Sequence, residues 1–122
     1  MINVLIVDDS RTSRRVLRDI LERAGYEIAG EAVNGKEAIE MYERLHPDIV
    51  TMDITMPEMD GIEALKLIKK DHPEAMVMMI TAAGQKEKMM EAVKIGACEF
   101  VAKPLIEESV LEALEHCKKE LG

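Results

Sequence analysis

The stretch VLIVDDS, residues 4–10, is an apolar run of four residues that ends in two aspartates. A short, continuously apolar run is typical of a strand covered on both faces, and the polar residues after it indicate that the strand ends there. A helical pattern follows over residues 11–24 and stops at Gly25. A strand, an acidic turn and an amphipathic helix in succession predict the first unit of a parallel α/β sheet.

The rest of the chain repeats this alternation. Further strands are expected at residues 26–32, 49–52, 76–80 and 98–102, each followed by a helical pattern. Five such units predict a single doubly wound, flavodoxin-like (βα)5 domain spanning residues 1–122, with helices on both faces of the sheet. The second and fifth strands carry charges between apolar residues, which favours the edges of the sheet. This fits the strand order 2-1-3-4-5, although the pattern alone also permits other orders of the central strands.

Composition excludes several classes of protein. A hydrophobic content of 48% is too high for intrinsic disorder, and the longest apolar run, residues 75–80, is six residues long. Since a spanning helix needs about 20 apolar residues, no membrane insertion is expected. A net charge of −8 argues against direct nucleic-acid binding, which requires a basic face. Cys98 and Cys117 lie in no metal-binding or redox motif, so we expect free thiols and a cytoplasmic protein.

Chemically active side chains follow four of the five predicted strands. They are Asp8 and Asp9 after the first strand, Asp53 after the third, Thr81 after the fourth and Lys103 after the fifth. Parallel strands share one carboxyl edge, and in the order 2-1-3-4-5 the winding reverses between strands one and three. The three carboxylates should therefore converge, with their charge balanced by Lys103 and a divalent cation. Oxygen ligands without His or Cys select Mg²⁺, or Mn²⁺, over zinc.

This set of groups indicates phosphoryl chemistry. A carboxylate nucleophile, a metal ion, a lysine charge and a hydroxyl are the groups that stabilise a phosphoryl group in transfer. Asp53 is the best-placed nucleophile, because it ends a central strand between Asp9 and Lys103. For any one of these residues a solvated surface position is the simpler interpretation, but four strand ends at once make it a poor one.

Four motifs closely resemble those of the response-regulator receiver domain, and together they span essentially the whole chain. They are VDDS at 7–10, MDITMPEMDG at 52–61, TA at 81–82 and VAKP at 101–104. The sequence around Asp53 is most similar to that of stand-alone chemotaxis regulators of the CheY type. The resemblance implies a phospho-acceptor signalling domain of a two-component system, not a conventional enzyme. A histidine kinase or phosphotransfer domain would phosphorylate Asp53, and a protein output partner, in chemotaxis or at the flagellar motor, would respond.

The resemblance also assigns a role to each residue of the acidic site. Asp9 and Asp53 would bind Mg²⁺ directly, and Asp8 would act through water. The main-chain carbonyl of Thr55 would be a third protein ligand. Lys103 would contact the phosphoryl oxygens.

Two further residues would form the switch that reads out phosphorylation. Thr81 would contact the phosphoryl oxygens, and Phe100 stands where the family more often has Tyr. Their movement would change the surface made by the fourth helix, the fifth strand and the fifth helix. The resemblance also favours a cis bond between Lys103 and Pro104.

Two helices carry surface patterns that need interpretation. Four arginines, Arg11, Arg14, Arg15 and Arg18, form a basic stripe on the first helix. The stripe is either a solvated face or a docking surface for the kinase or phosphotransfer domain.

The fourth helix has apolar residues around too much of its circumference to bury them all. We expect its core residues to be Met90 and Val93, with Met89 and Ile95 partly exposed as a contact surface.

Other classes of protein share parts of this pattern. An Asp-nucleophile phosphatase or phosphotransferase of the haloacid-dehalogenase type would carry a DxD motif, but residue 55 is Thr. A flavin-binding electron carrier would need a phosphate-binding loop after the first strand, where Asp8 and Asp9 would repel a phosphate. The N-terminal receiver of a longer regulator is an alternative to a stand-alone protein, and a monomer is expected.

Overall fold

Strand β1 (Asn3–Val7) lies inside the sheet, between β2 (Glu27–Ala32) and β3 (Ile49–Asp53). Strands β4 (Val77–Thr81) and β5 (Glu99–Ala102) follow on the far side of β3, and all neighbouring strands are parallel. The computed structural model describes residues 1–121 and confirms the predicted order 2-1-3-4-5. Every residue of β3 and β4 is buried, whereas the edge strands β2 and β5 are partly exposed, as their charges predict.

Five helices cover the two faces of this sheet. Helices α1 (Arg11–Arg23) and α5 (Glu107–Glu120) pack on one face. Helices α2 (Gly35–Leu45), α3 (Gly61–Asp71) and α4 (Lys86–Ile95) pack on the other. Because side chains alternate along a strand, β1 sends Leu5 to the second face and Ile6 to the first. None of the helices within residues 1–121 is long and apolar enough to span a membrane.

The expectation of two free thiols is wrong. Cys98 and Cys117 form a disulfide bond, with their Cα atoms 5.6 Å apart. Cys98 immediately precedes β5, and Cys117 lies on the buried face of α5, which packs against the same strand. The two residues are 19 positions apart and share no motif, so the packing of α5 on the sheet, not the local sequence, brings them together.

The expected core of α4 is also wrong. Met90 and Val93 are each 51% exposed, and Ala92 is the residue that α4 buries. Met89 is half-buried, as is Ile95, which packs against the core. Helix α4 therefore joins the core through a small alanine and Ile95, and its larger apolar residues Met90 and Val93 are left half-exposed.

Candidate functional site

Three carboxylates meet at the carboxyl edge of the sheet. One side-chain oxygen from each of Asp8, Asp9 and Asp53 lies within 4.8 Å of the other two. Asp8 and Asp53 are buried, and Asp9 is exposed. The convergence predicted from the strand ends is therefore present, with β1 supplying two carboxylates and β3 the third.

Asp8 is held in place by its own neighbours. The backbone N–H of Ser10 donates a hydrogen bond to Asp8 Oδ1 at 2.8 Å, and the Arg14 guanidinium donates to the Asp8 carbonyl at 2.8 Å. The Asp8 N–H donates to the Ala32 carbonyl at 3.1 Å and so continues the pairing of β1 with β2. Ser10 also caps α1, since its hydroxyl accepts from the Ser13 N–H. The acidic turn and the start of α1 thus form one hydrogen-bonded unit.

Lys103 supplies a positive charge to this cluster. Its Nζ lies 3.1 Å from Asp8 Oδ2 and 3.5 Å from Asp53 Oδ2. The Lys103 N–H donates to the Thr81 carbonyl at 2.7 Å, which fixes the end of β5 against the end of β4. The peptide bond between Lys103 and Pro104 is cis, as predicted.

One ammonium does not neutralise three carboxylates. Burial and the neighbouring charge of Asp8 raise the pKa of Asp53 to about 6, although Lys103 acts in the opposite direction. For Lys103, burial disfavours the charged form, but the hydrogen bond to Asp8 and the charge of Asp53 outweigh it and raise the pKa of the ammonium. The excess negative charge and the all-oxygen donor set fit a hard divalent cation, Mg²⁺ or Mn²⁺.

The main chain of Asp53 is packed directly against the start of α3. The Gly61 N–H donates to the Ile54 carbonyl at 2.7 Å. A Cβ atom at residue 61 would collide with the carbonyl oxygen of Asp53, so glycine is required there by close approach. Asp60 caps α3 by accepting from the Glu63 N–H at 2.9 Å.

The two predicted switch residues lie on the neighbouring strands β4 and β5 and are not part of the carboxylate cluster. Thr81 is buried, and its hydroxyl donates to the Ala82 carbonyl at 3.2 Å. Phe100 is 41% exposed on β5. A groove of about 1070 Å³ runs from Thr81 and Lys103 past Phe100 to His116 on α5. Open space therefore connects Thr81 and Lys103 to the exposed aromatic ring, while the three carboxylates do not line this groove.

Sequence reasoning missed Gln85, which bridges two loops at the site. The Gln85 amide nitrogen donates to the Thr55 hydroxyl, and its amide oxygen accepts from the Ala82 N–H at 2.7 Å. A usable signal was present, because Gln85 directly precedes α4 in a position where Ser, Thr, Asp or Asn is the usual cap.

Half of the predicted basic stripe is engaged within the fold. Arg14 Nε and Arg18 Nε bond the two carboxylate oxygens of Glu31 in β2 at 2.9 and 2.8 Å. These contacts lower the pKa of Glu31 against the opposing effect of its burial. Arg11 and Arg15 are exposed. The stripe therefore secures the edge strand β2 with two arginines and offers two to solvent.

Comparisons with known proteins show which family and which relatives this chain is similar to. Residues 4–115 match the family model described as the response regulator receiver domain. The chemotaxis protein CheY of Thermotoga maritima is 53% identical over 116 residues, which cover 95% of this chain and 97% of that protein. The chemotaxis protein CheY of Listeria monocytogenes is 46% identical over 119 residues, covering 98% and 100%. A chain in the crystal structure of the CheX-CheY-BeF3-Mg complex from Borrelia burgdorferi superposes with a TM-score of 0.89 at 40% identity, covering 93% of this chain and 86% of that one.

Proposed function

The chain belongs to the response regulator receiver domain family, and on that premise we propose that it is the phospho-acceptor of a chemotaxis two-component system. Its curated relatives at 46 and 53% identity are named chemotaxis protein CheY. The observation that carries the proposal is the position of Asp53, buried at the end of a central strand beside Asp8, Asp9 and Lys103. The receiver spans residues 1–122 and acts as a monomeric signalling domain rather than a conventional enzyme.

Asp53 is the nucleophile of the proposed reaction. At neutral pH a carboxyl group with a pKa of about 6 is largely ionised. One Asp53 oxygen attacks the phosphorus of a phosphohistidine on a histidine kinase or phosphotransfer domain. The new P–O bond forms as the P–N bond breaks, and the departing imidazole keeps the electron pair and takes up a proton. The Lys103 ammonium stands beside the acceptor oxygen and stabilises the negative charge of the transferred group.

The proposed cofactor is Mg²⁺, with Mn²⁺ as a substitute. Asp9 and Asp53 would hold it directly, Asp8 through water, and the Thr55 carbonyl would supply a further oxygen. When bound, the ion supplies positive charge that offsets the carboxylates and the phosphoryl oxygens. The Borrelia complex, which contains BeF3 and Mg²⁺, supports this assignment by similarity.

The proposed response begins at Thr81. Its hydroxyl now donates to the neutral Ala82 carbonyl, and a phosphoryl group on Asp53 would offer a charged acceptor that makes a stronger hydrogen bond. Movement of Thr81 would open space for Phe100 to turn inward along the groove. The surface of α4, β5 and α5 would then change for a protein output partner, a kind of contact that the CheX-CheY complex supports for a relative.

Phosphorylation by a small phospho-donor tests the acceptor. Incubation with acetyl phosphate and Mg²⁺ should add one phosphoryl group, detected by intact-mass spectrometry, and Asp53→Asn should add none. Full labelling of that variant would move the acceptor elsewhere, to Asp8 or Asp9. Asp9→Asn should weaken Mg²⁺ binding in a titration, and equal binding would refute the metal assignment.

Two variants test the switch separately from the chemistry. Thr81→Ala should still accept a phosphoryl group but couple it poorly to partner binding. Phe100→Ala should disturb output more than phosphorylation. Structures with and without beryllofluoride should differ in the Phe100 rotamer, and an unchanged rotamer with an unchanged α4 surface would defeat this mechanism.

A further inference from the structure

Gln85 departs from the way in which the preceding helices of this chain begin. Helices α1, α2 and α3 each start after a residue whose side chain caps the helix: Ser10, Asn34 and Asp60. Gln85 holds the same position before α4, but its side chain makes no capping hydrogen bond. Its amide is used for another purpose.

That amide connects two loops that leave neighbouring strands. Its oxygen accepts from the N–H of Ala82, the residue after β4, at 2.7 Å. Its nitrogen donates to the hydroxyl of Thr55, two residues after Asp53. A neutral amide has both a donor and an acceptor end, so one side chain satisfies both contacts. Since β3 and β4 are paired, the bridge spans the gap between their loops, beside Asp53 and Thr81.

The loop that Gln85 fastens is otherwise open to solvent. Ala82, Ala83 and Gly84 are all exposed, and Gly84 has a left-handed backbone with φ 84°. The Ala82 carbonyl accepts from the Thr81 hydroxyl, so both polar groups of Ala82 are bonded while the bridge is closed. Breaking the bridge frees the Ala82 N–H and separates the loop from Thr55.

We propose that Gln85, bonded to both Ala82 and Thr55, is a latch across the mouth of the phospho-acceptor site that controls how fast small molecules reach Asp53. This inference rests on the proposed function of Asp53. Gln85 acts through the loops and is a positioning residue. A small phospho-donor and the water that hydrolyses the aspartyl phosphate both enter through the opened mouth. In hydrolysis, the water oxygen bonds to phosphorus, the P–O bond to Asp53 breaks, the carboxylate is regenerated and inorganic phosphate leaves with the proton.

The latch predicts parallel changes in two rates. Gln85→Ala should raise both the rate of labelling by acetyl phosphate and the rate of phosphoryl loss by about two- to tenfold, the equilibrium factor of one hydrogen bond of typical net strength. The steady level of labelling and the affinity for Mg²⁺ should stay unchanged, because access alters no bound state. Lys86→Ala, at the next residue, leaves the bridge intact and is the matched control.

A double-variant cycle tests whether the effect passes through the bridge. Thr55→Val removes the accepting hydroxyl with little change of shape and should raise both rates in part. Thr55→Val combined with Gln85→Ala should be no faster than Gln85→Ala alone. Additive effects, a change in one rate only, or rates equal to those of Lys86→Ala would overturn the latch.

Hydrogen exchange separates failure of the latch from failure of the proposed function. The Ala82 amide should exchange faster in Gln85→Ala than in Lys86→Ala, without any phospho-donor, and unchanged exchange would refute the latch. Labelling that persists in Asp53→Asn would instead refute the proposed acceptor and, with it, the role of the latch in access to Asp53.

Discussion

Strands β3 and β5 both lead into the acidic site, yet they are held very differently. All five residues of β3 are buried, whereas β5 buries Val101 and exposes Phe100 and Ala102. The neighbouring helices repeat the contrast. Helix α3 buries Gly61, Ile62, Ala64, Leu65 and Ile68, and α4 buries Ala92. We call β3 with α3 the acceptor unit, and α4 with β5 the response unit.

The contrast shows how one small domain separates chemistry from signalling. Carboxylates that share a cation must keep their geometry, and a fully buried strand with a deeply seated helix keeps it. A surface that changes on phosphorylation needs a segment with few buried apolar contacts, because little burial is lost when it moves. The acceptor unit and the response unit meet these two requirements on either side of β4.

Truncation of one apolar side chain in each unit should give the largest difference. Leu65→Ala, in the acceptor unit, removes a fully buried side chain and should lower the free energy of unfolding by about 2–5 kcal/mol. Met90→Ala, at a half-exposed site of the response unit, should change it by less than about 0.5 kcal/mol. Urea denaturation measures both, and equal losses would contradict the division into two units.

Reduction of the disulfide should have the next largest effect. The bond from Cys98 to Cys117 closes a loop across 19 positions and secures the start of β5 to α5. Its reduction should lower the free energy of unfolding by about 3 kcal/mol. Amide exchange should rise in β5 more than in β3, because the bond supports the less buried strand.

The matched control replaces both cysteines. Denaturation of the oxidised and the dithiothreitol-treated protein should differ, whereas a Cys98→Ser and Cys117→Ala variant should be insensitive to the reductant. Two freely titrating thiols in air-oxidised protein, with no change of stability on reduction, would count against the bond.

Removal of the Asp53 charge should stabilise the metal-free acceptor unit. The pKa of the Asp53 carboxyl rises from 3.8 to about 6 on folding. Between these pH values the folded state therefore binds more protons than the unfolded state. The wild-type free energy of unfolding therefore falls as the pH rises through that window. At about pH 8 without Mg²⁺, Asp53→Asn should be about 1–3 kcal/mol more stable than the wild type.

The pH dependence provides the check on this prediction. Denaturation of both proteins at several pH values should show the advantage of Asp53→Asn shrinking as the pH falls from about 6 to about 4 and vanishing below that, where the wild-type carboxyl is protonated in both states. Mg²⁺ should stabilise the wild type and reduce the difference at high pH. An advantage that is the same at low and high pH would show that burial of charge is not its cause.

The smallest effect concerns a buried hydroxyl in the acceptor unit. Thr51 in β3 is fully buried, and within residues 1–121 its hydroxyl finds no hydrogen-bond partner. Thr51→Val removes the unpaired hydroxyl and should raise the free energy of unfolding by about 1 kcal/mol. Thr51→Ala, which leaves a cavity, should lower it. Urea denaturation distinguishes the two, and a destabilised Thr51→Val would indicate a partner for the hydroxyl.

The sequence predicts the acceptor unit better than the response unit, for a physical reason. Asp53 follows a continuously apolar strand, and the topology of parallel sheets brings it to Asp8 and Asp9 without further information. Helix α4 has apolar residues on several sides, so its orientation depends on how it sits at the sheet, and the expected burial of Met90 and Val93 was wrong. A weakly amphipathic helix does not encode which of its faces is covered.

Contacts between distant segments also could not be predicted from the sequence. Cys98 and Cys117 meet because α5 packs against β5, and no local pattern records that packing. Gln85 reaches Thr55 across 30 positions, and the reach of a side chain between loops depends on backbone positions that the pattern of apolar residues does not specify. Topological rules place strand ends, whereas individual side-chain partners require the folded chain.

The close contact between Gly61 and the main chain of Asp53 has a mechanical consequence. Because no side chain separates them, a displacement of the Asp53 backbone pushes directly on the start of α3. Helix α3 resists this displacement because five of its residues are buried. Stress generated at Asp53 is therefore relieved toward the response unit, α4 and β5, where fewer residues are buried. Glycine at residue 61 thus makes the domain stiff on one side, so that a load applied at a single carboxylate deforms the molecule in one direction.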